Sequence, residues 1–220
     1  MVLPLWVADE GELALSGRFI TFEGGEGVGK STQVRLLAEA LRQLGSDVVI
    51  TREPGGTIGA EAIRRLLLGT DGPGWGARAE ALLFAAARAD HVDRLIRPAL
   101  ARGAWVICDR YVDSSRAYQG GAGGLCDEDI LALHQIGSEG LLPDLSVLLI
   151  LDPELARERL LLRDAGQTDR IGGRDDDYHA RVTAAFEFFA VAEPERFARI
   201  DATGEAETVH RRVLAALERP

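Results

Sequence analysis

The segment Gly24, Gly25, Glu26, Gly27, Val28, Gly29, Lys30, Ser31 fits the pattern G-x-x-x-x-G-K-[ST], and Thr32 follows it. It joins an apolar run, Arg18–Glu23, to a stretch, Lys30–Leu44, in which Val34, Leu37, Ala38 and Leu41 recur at helical spacing. Strand, glycine-rich turn and helix in that order leave few folds open, because the turn must lie at the carboxyl end of a strand packed beneath a helix. Glycine permits backbone angles closed to residues with a Cβ, so consecutive N–H groups can turn inward on phosphate oxygens, backed by the helix dipole. In such a cradle Lys30 would reach the β- and γ-phosphates, and the Ser31 hydroxyl would hold Mg²⁺.

The rest of the chain continues the alternation. Asp47–Thr51, Ala104–Cys108, Leu145–Leu151 and Phe197–Ile200 read as strands. Ile58–Leu68, Ala77–Ala101, Asp127–Gly140 (capped by Asp127), Pro153–Arg163, Tyr178–Ala192 and Glu205–Arg219 read as helices. The strand runs are continuously apolar, which belongs to a parallel sheet covered on both faces. The expected fold is therefore α/β: a doubly wound, mainly parallel five-stranded sheet flanked by helices. Arg110–Gly124 is polar and glycine-rich, a loop or irregular helix, and Asp164–Asp177 reads as a mobile charged segment. Residues 1–16 carry Asp9, Glu10 and Glu12 without a basic n-region, so they do not read as a signal peptide. They are expected to form an N-terminal extension that need not be ordered, ahead of one domain over 17–220.

Charge narrows the function. Lys and Arg total 25 against 35 Asp and Glu, a formal net charge of −10, which argues against a general nucleic-acid binder. There is no asparagine, so neither an N-glycosylation sequon nor the Asn-Lys-x-Asp base-reading motif of GTPase switches can occur. Two cysteines, Cys108 and Cys126, are too few for a disulfide scaffold and fit reduced thiols in the cytoplasm. No apolar run approaches the ~20 residues of a membrane span. Lys30 is the one lysine among these cations; a compact ammonium reaches into a backbone nest where a planar guanidinium is too broad.

A phosphate cradle alone leaves ATPases, GTPases, sulfotransferase-like proteins and small-molecule kinases open. The second Mg²⁺ contact is usually an acid ending a hydrophobic strand. Asp109 and Asp152 both qualify, and Asp109, followed by Arg110 and a glycine-rich loop, is preferred over Asp152, which looks like a helix start. The loop Thr51–Thr57, with Glu53 and Pro54, follows the second strand and faces the same end of the sheet. Phe84 and Arg88 are four apart on one helix face, where a ring and a guanidinium could stack on a base and bond its edge. Spacing alone favours a core ring beside a surface cation. Arg110 at a strand end is placed for a bidentate fork on a second phosphate. Ser115, Tyr118 and Gln119 offer neutral polar contacts.

Taken in order, Phe22 through Ser31, Thr51-Arg-Glu-Pro-Gly-Gly-Thr57, Leu83-Phe84 with Arg88, and Asp109-Arg-Tyr-Val-Asp-Ser-Ser-Arg-Ala-Tyr-Gln-Gly120 resemble the thymidylate kinase family. Pro143-Asp-Leu145, Leu151-Asp152 and the Asp169-Arg170 turn match too, so the resemblance runs from about Arg18 to the C-terminus. It implies a P-loop NTPase fold of the nucleoside monophosphate kinase kind, transfer of the ATP γ-phosphoryl to dTMP, Mg²⁺ as cofactor and a cytoplasmic homodimer with no nucleic-acid or membrane partner. By resemblance Phe84 stacks on thymine, Arg88 donates to a thymine carbonyl, and Arg64 and Arg110 bind the monophosphate. Ser115 and Gln119 contact the base edge, Tyr118 crowds a ribose 2′-OH, and Glu26 lies near the sugar and acceptor phosphate. Glu26 also places the chain in the bacterial branch whose lid supplies transition-state charge. Within a lid at about 163–177, Arg170 is the expected source, with Arg163 and Arg174 as alternatives. Gly172 and Gly173 stand where many relatives carry an acid, which leaves lid carboxylates unassigned. The rivals are another nucleoside monophosphate or deoxynucleoside kinase, an inactive homologue, and a non-catalytic nucleotide switch; the acceptor-side motifs would have no purpose in the last.

Overall fold

The computed structural model describes residues 17–70, 72–164 and 169–218, apart from the side chains of Arg163 and Asp164. The expected extension over residues 1–16, and the reading of the Arg163 side chain, lie outside the described residues.

Each apolar run forms a strand: β1 (Phe19–Glu23), β2 (Val48–Arg52), β3 (Trp105–Asp109), β4 (Leu145–Ile150) and β5 (Phe197–Asp201). They make one parallel sheet in the order β2-β3-β1-β4-β5. Both faces are covered, as continuous apolar strands require. Ile20, Phe22, Ile107, Val147 and Leu149 pack against α1 (Lys30–Gln43) and α9 (Ala206–Leu217). On the other face, Phe19, Val106 and Cys108 pack with Val92, Ile96 and Ala99, while Leu148 joins Val182 and Phe186 of α8 (Asp176–Ala192). The helical spacing in α1 has its expected result: Val34, Leu37, Ala38 and Leu41 are all buried.

The remaining helices are α2 (Ile58–Leu68), α3 (Ala77–His91), α4 (Arg97–Ala101), α5 (Val112–Ser115), α6 (Asp127–Ser138) and α7 (Pro153–Asp164). Two sequence expectations need correction. The single helix over Ala77–Ala101 is interrupted by a π-helical turn at Val92–Ile96. Pro98 has no N–H for the i−4 carbonyl and its ring crowds that position, so the ladder widens just ahead of it, and the Arg97 N–H bonds Val92 O. Asp127 does not cap α6: Cys126 holds that position without a side-chain bond, and both Asp127 oxygens accept instead from Arg116, at 2.9 and 2.8 Å. The polar stretch after β3 is an irregular helix, with α5 running into a π-helical segment, Arg116–Ala122.

Candidate active site

The glycine-rich turn links the end of β1 to α1. Gly24 and Gly27 have φ of 126° and 73°, and a Cβ on them would meet Leu149 O at 2.5 Å and Ala156 O at 2.3 Å. Both backbone angle and space therefore demand glycine. Gly29 leaves α1 without a side-chain cap, so the first-turn N–H groups are free to meet an anion. Lys30 is buried and donates to Gly24 O at 3.2 Å and to Gly25 O. Burial and then the Arg110 charge pull its pKa down to about 8, against Glu26, Asp109 and Glu23. Next to it, Ser31 Oγ donates to Asp109 Oδ2 at 2.7 Å. Asp152 instead starts α7, where its Oδ1 accepts the N–H groups of Glu154 at 2.9 Å and Leu155 at 3.4 Å.

β3 ends beside this turn, and Arg110 takes a left-handed φ of 68°, which bends its side chain back across the sheet end. Its guanidinium donates to Gly24 O at 2.9 Å, Glu26 Oε1 at 2.7 Å and Ser114 Oγ at 3.2 Å, and lies over the Tyr118 ring at 4.9 Å. The backbone behind it rests on Glu23, whose carboxyl accepts from Tyr111 N at 2.8 Å and Ser114 Oγ at 2.6 Å. Burial and then neighbouring Asp113 push the Glu23 pKa up to about 8. Asp113 is also fully buried, and burial pushes its carboxyl up, but the bonds from Arg196 Nη1 at 2.6 Å and Nη2 at 2.9 Å hold it below the usual range.

A third group comes from β2 and α3. Glu53 accepts from Arg88 Nε at 2.7 Å and pairs with His91 Nδ1 at 3.0 Å, while His91 Nε2 meets Thr51 Oγ1 at 2.7 Å. Arg88 also donates to Ser115 Oγ at 2.8 Å and Tyr111 O at 3.3 Å. Arg64 donates to Pro54 O at 2.6 Å, and Gln119 Nε2 to Glu80 Oε1 at 2.9 Å. Members of all three groups line one cavity of about 760 Å³ beyond the carboxyl ends of the strands, with Glu23, Asp113, Thr51, His91 and Glu80 outside its lining. Glu26 to Thr32, Glu53, Pro54, Arg64, Phe84, Arg88, Asp109, Arg110, Ser115, Tyr118 and Gln119 all line it. Gly24 and Gly25 act behind that surface, through the carbonyls that hold Lys30 and Arg110.

A family model described as thymidylate kinase matches residues 22–213. The thymidylate kinase of Rhizorhabdus wittichii is 57% identical over 203 residues, covering 92% of this chain and 98% of its own. That of Rhodopseudomonas palustris is 50% identical, covering 93% of this chain and 90% of its own. The crystal structure of thymidylate kinase from Ehrlichia chaffeensis superposes with a TM-score of 0.75 at 32% identity, over 92% of this chain and 99% of the other. The chain belongs to the thymidylate kinase family.

Two of the arginines expected to supply charge from a lid, Arg170 and Arg174, sit apart from the cavity lining. Arg170 spans the α2–α3 loop, donating from Nε to Gly69 O at 2.7 Å and reaching Gly72 O at 3.4 Å. Arg174 bonds Glu80 Oε2 and lies over the Tyr178 ring at 4.5 Å. Their neighbours Asp169 and Ile171 do line the cavity. Sequence reasoning missed His91, Glu80 and Arg159. Glu80, Phe84 and Arg88 are spaced by four on α3, and His91 follows three later, so one helix stripe carried the signal. Arg159, which lines the cavity beside Gly29 and bonds Ala202 O and Gly204 O, sits in no motif.

Proposed function

We propose that this cavity is the active site in which the kinase transfers the γ-phosphoryl of ATP to dTMP, giving dTDP and ADP. One observation carries the reading: the phosphate cradle and the pyrimidine-side residues Phe84, Arg88 and Arg110 line the same cavity. The transfer needs charge neutralisation and alignment more than covalent chemistry. Lys30 and the α1 amides take the donor phosphates, and the Arg110 fork, with Arg64, takes the acceptor phosphate. Phe84 stacks on thymine, Arg88 donates to its carbonyl, and Ser115 and Gln119 meet the base edge. The Tyr118 ring, braced by Arg110, closes the space a 2′-OH would need. Glu53 keeps Arg88 oriented, and Glu26 does the same for Arg110. Assaying ADP release from ATP with dTMP, dUMP, dCMP, AMP or GMP tests the reading. dTMP should be preferred, and turnover of AMP or GMP with none of dTMP would overturn it.

Ser31 and Asp109 suit Mg²⁺. A hydroxyl and one carboxylate 2.7 Å apart, with no cluster of three His, Cys, Asp or Glu among the described residues, match a cation held mainly by substrate phosphates. When bound, Mg²⁺ offsets the charge of the β- and γ-oxygens. Asp109→Asn should raise the Mg²⁺ concentration for half-maximal rate by about 10-fold or more, read from a metal titration at saturating nucleotides.

The remaining assignments share this footing. The chain forms one kinase domain over 17–220, and 163–177 is its lid. Arg170, flanked by cavity-lining residues, brings cationic charge to the transferring group. Arg170→Ala should lower kcat by about 10²-fold with little change in KM for dTMP; a raised KM at constant kcat would assign it to uniform binding instead. Membership of the thymidylate kinase family supports a cytoplasmic enzyme; among the described residues no helix is long and apolar enough to cross a membrane. Exposed Leu66, Leu82 and Ile136 on the neighbouring helices α2, α3 and α6 support a homodimer.

A further inference from the structure

Glu80 has no part in the reading above, yet it is buried on α3 with each oxygen committed. Oε1 accepts from Gln119 Nε2 at 2.9 Å, and Oε2 accepts from Arg174. A carboxylate only accepts, so it turns the Gln119 amide with its nitrogen toward Glu80. The amide carbonyl and the second N–H then remain for the cavity, which Gln119 lines. An acceptor beside a donor matches a pyrimidine that presents N3–H next to a carbonyl. With the amide held in that one register it mismatches cytosine, whose N3 accepts and whose N4 donates. The same carboxylate seats the turn Asp169–Arg174, and Arg174 is further held over Tyr178, whose hydroxyl donates to Tyr118 O at 2.7 Å.

We propose that Glu80 is a positioning residue that fixes the Gln119 amide face and the Arg174 seat together, so that base recognition and lid seating are coupled. The proposal rests on Gln119 reading the base edge, and coupling of this kind must act in both directions.

The test compares Glu80→Gln, Arg174→Met and Gln119→Leu with the full-length parent. It measures KM and kcat for dTMP and dCMP, and amide hydrogen exchange over residues 169–175 with and without saturating dTMP. In the parent, dTMP should slow that exchange. Glu80→Gln should raise KM for dTMP by about 10-fold, narrow dTMP/dCMP discrimination by about 10-fold and abolish the dTMP-dependent slowing. Arg174→Met should lose the slowing and, through the same reciprocity, lose part of the discrimination, which two separate structural roles of Glu80 at Gln119 and at Arg174 do not predict. If Gln119→Leu changes dTMP kinetics while Glu80→Gln keeps parental discrimination and slowing, the coupling is refuted. If Gln119→Leu leaves KM and discrimination for dTMP unchanged, the base-edge reading fails and the coupling with it.

Discussion

Lys30→Ala is expected to lower kcat for dTDP formation by about 10²–10³-fold while the protein stays folded. The magnitude is that of removing one fixed cationic donor from a site where charge develops in the transition state. The loss should fall mainly on kcat, because the ammonium meets the transferring group most closely when its charge is redistributing. Folding should survive because the ammonium is buried and its pKa is pulled down to about 8, so at neutral pH its charge opposes the folded state. Of the carbonyls it leaves, Gly24 O keeps the bond from Arg110 Nη1 at 2.9 Å, and the space vacated by the Lys30 side chain adjoins the cavity, so water can reach Gly25 O. Steady-state ADP release and a circular-dichroism melt of the same sample check both halves. Near-parental turnover would remove Lys30 from the donor site.

Arg110→Ala is expected to be more damaging on the acceptor side, lowering kcat/KM for dTMP by about 10²–10⁴-fold. Two charge-assisted bonds to a phosphate at roughly 1.5–3 kcal/mol each give that range. The guanidinium also braces Glu26 and Tyr118, so its loss releases both. Arg110→Lys should recover only part of the activity, since a point charge lacks the fork. Because Arg110 has a φ of 68°, Arg110→Gly serves as the control for backbone strain. All three variants should keep KM for ATP within about twofold. An unchanged kcat/KM for dTMP in Arg110→Ala would place the acceptor phosphate elsewhere.

Much of this was legible in the residues. Continuous apolar strands alternating with helices specify a covered parallel sheet, and the glycine-rich turn specifies which strand end carries phosphate. The residues proposed for the acceptor side stand in short motifs that each follow a strand or share a helix face, and the fold brings them to one cavity. What stayed hidden depends on side chains meeting across long separations. Glu23 and Ser114 are 91 residues apart and join only because β1 and β3 pair. Arg174 and Glu80 are 94 apart. The π-helical turn was missed for another reason: Pro98 marks it in the sequence, but the helical periodicity on either side persists and only the hydrogen-bond ladder records the change.

The strand order has a consequence for how this enzyme can change. β1 is central, with β2 and β3 on one side and β4 and β5 on the other. Glu53, Arg88, Ser115 and Gln119 reach the cavity from the first side, while Gly204, Glu205, Ala206 and Val209 reach it from the second. On the proposed assignment the two nucleotides stand on separate half-sheets that share β1 and its glycine-rich turn. Substitutions on opposite halves should combine additively in free energy. A new acceptor preference can then be selected on one half while the other keeps its donor, a modular division that lets a lineage retune the base it accepts without rebuilding the phosphoryl source.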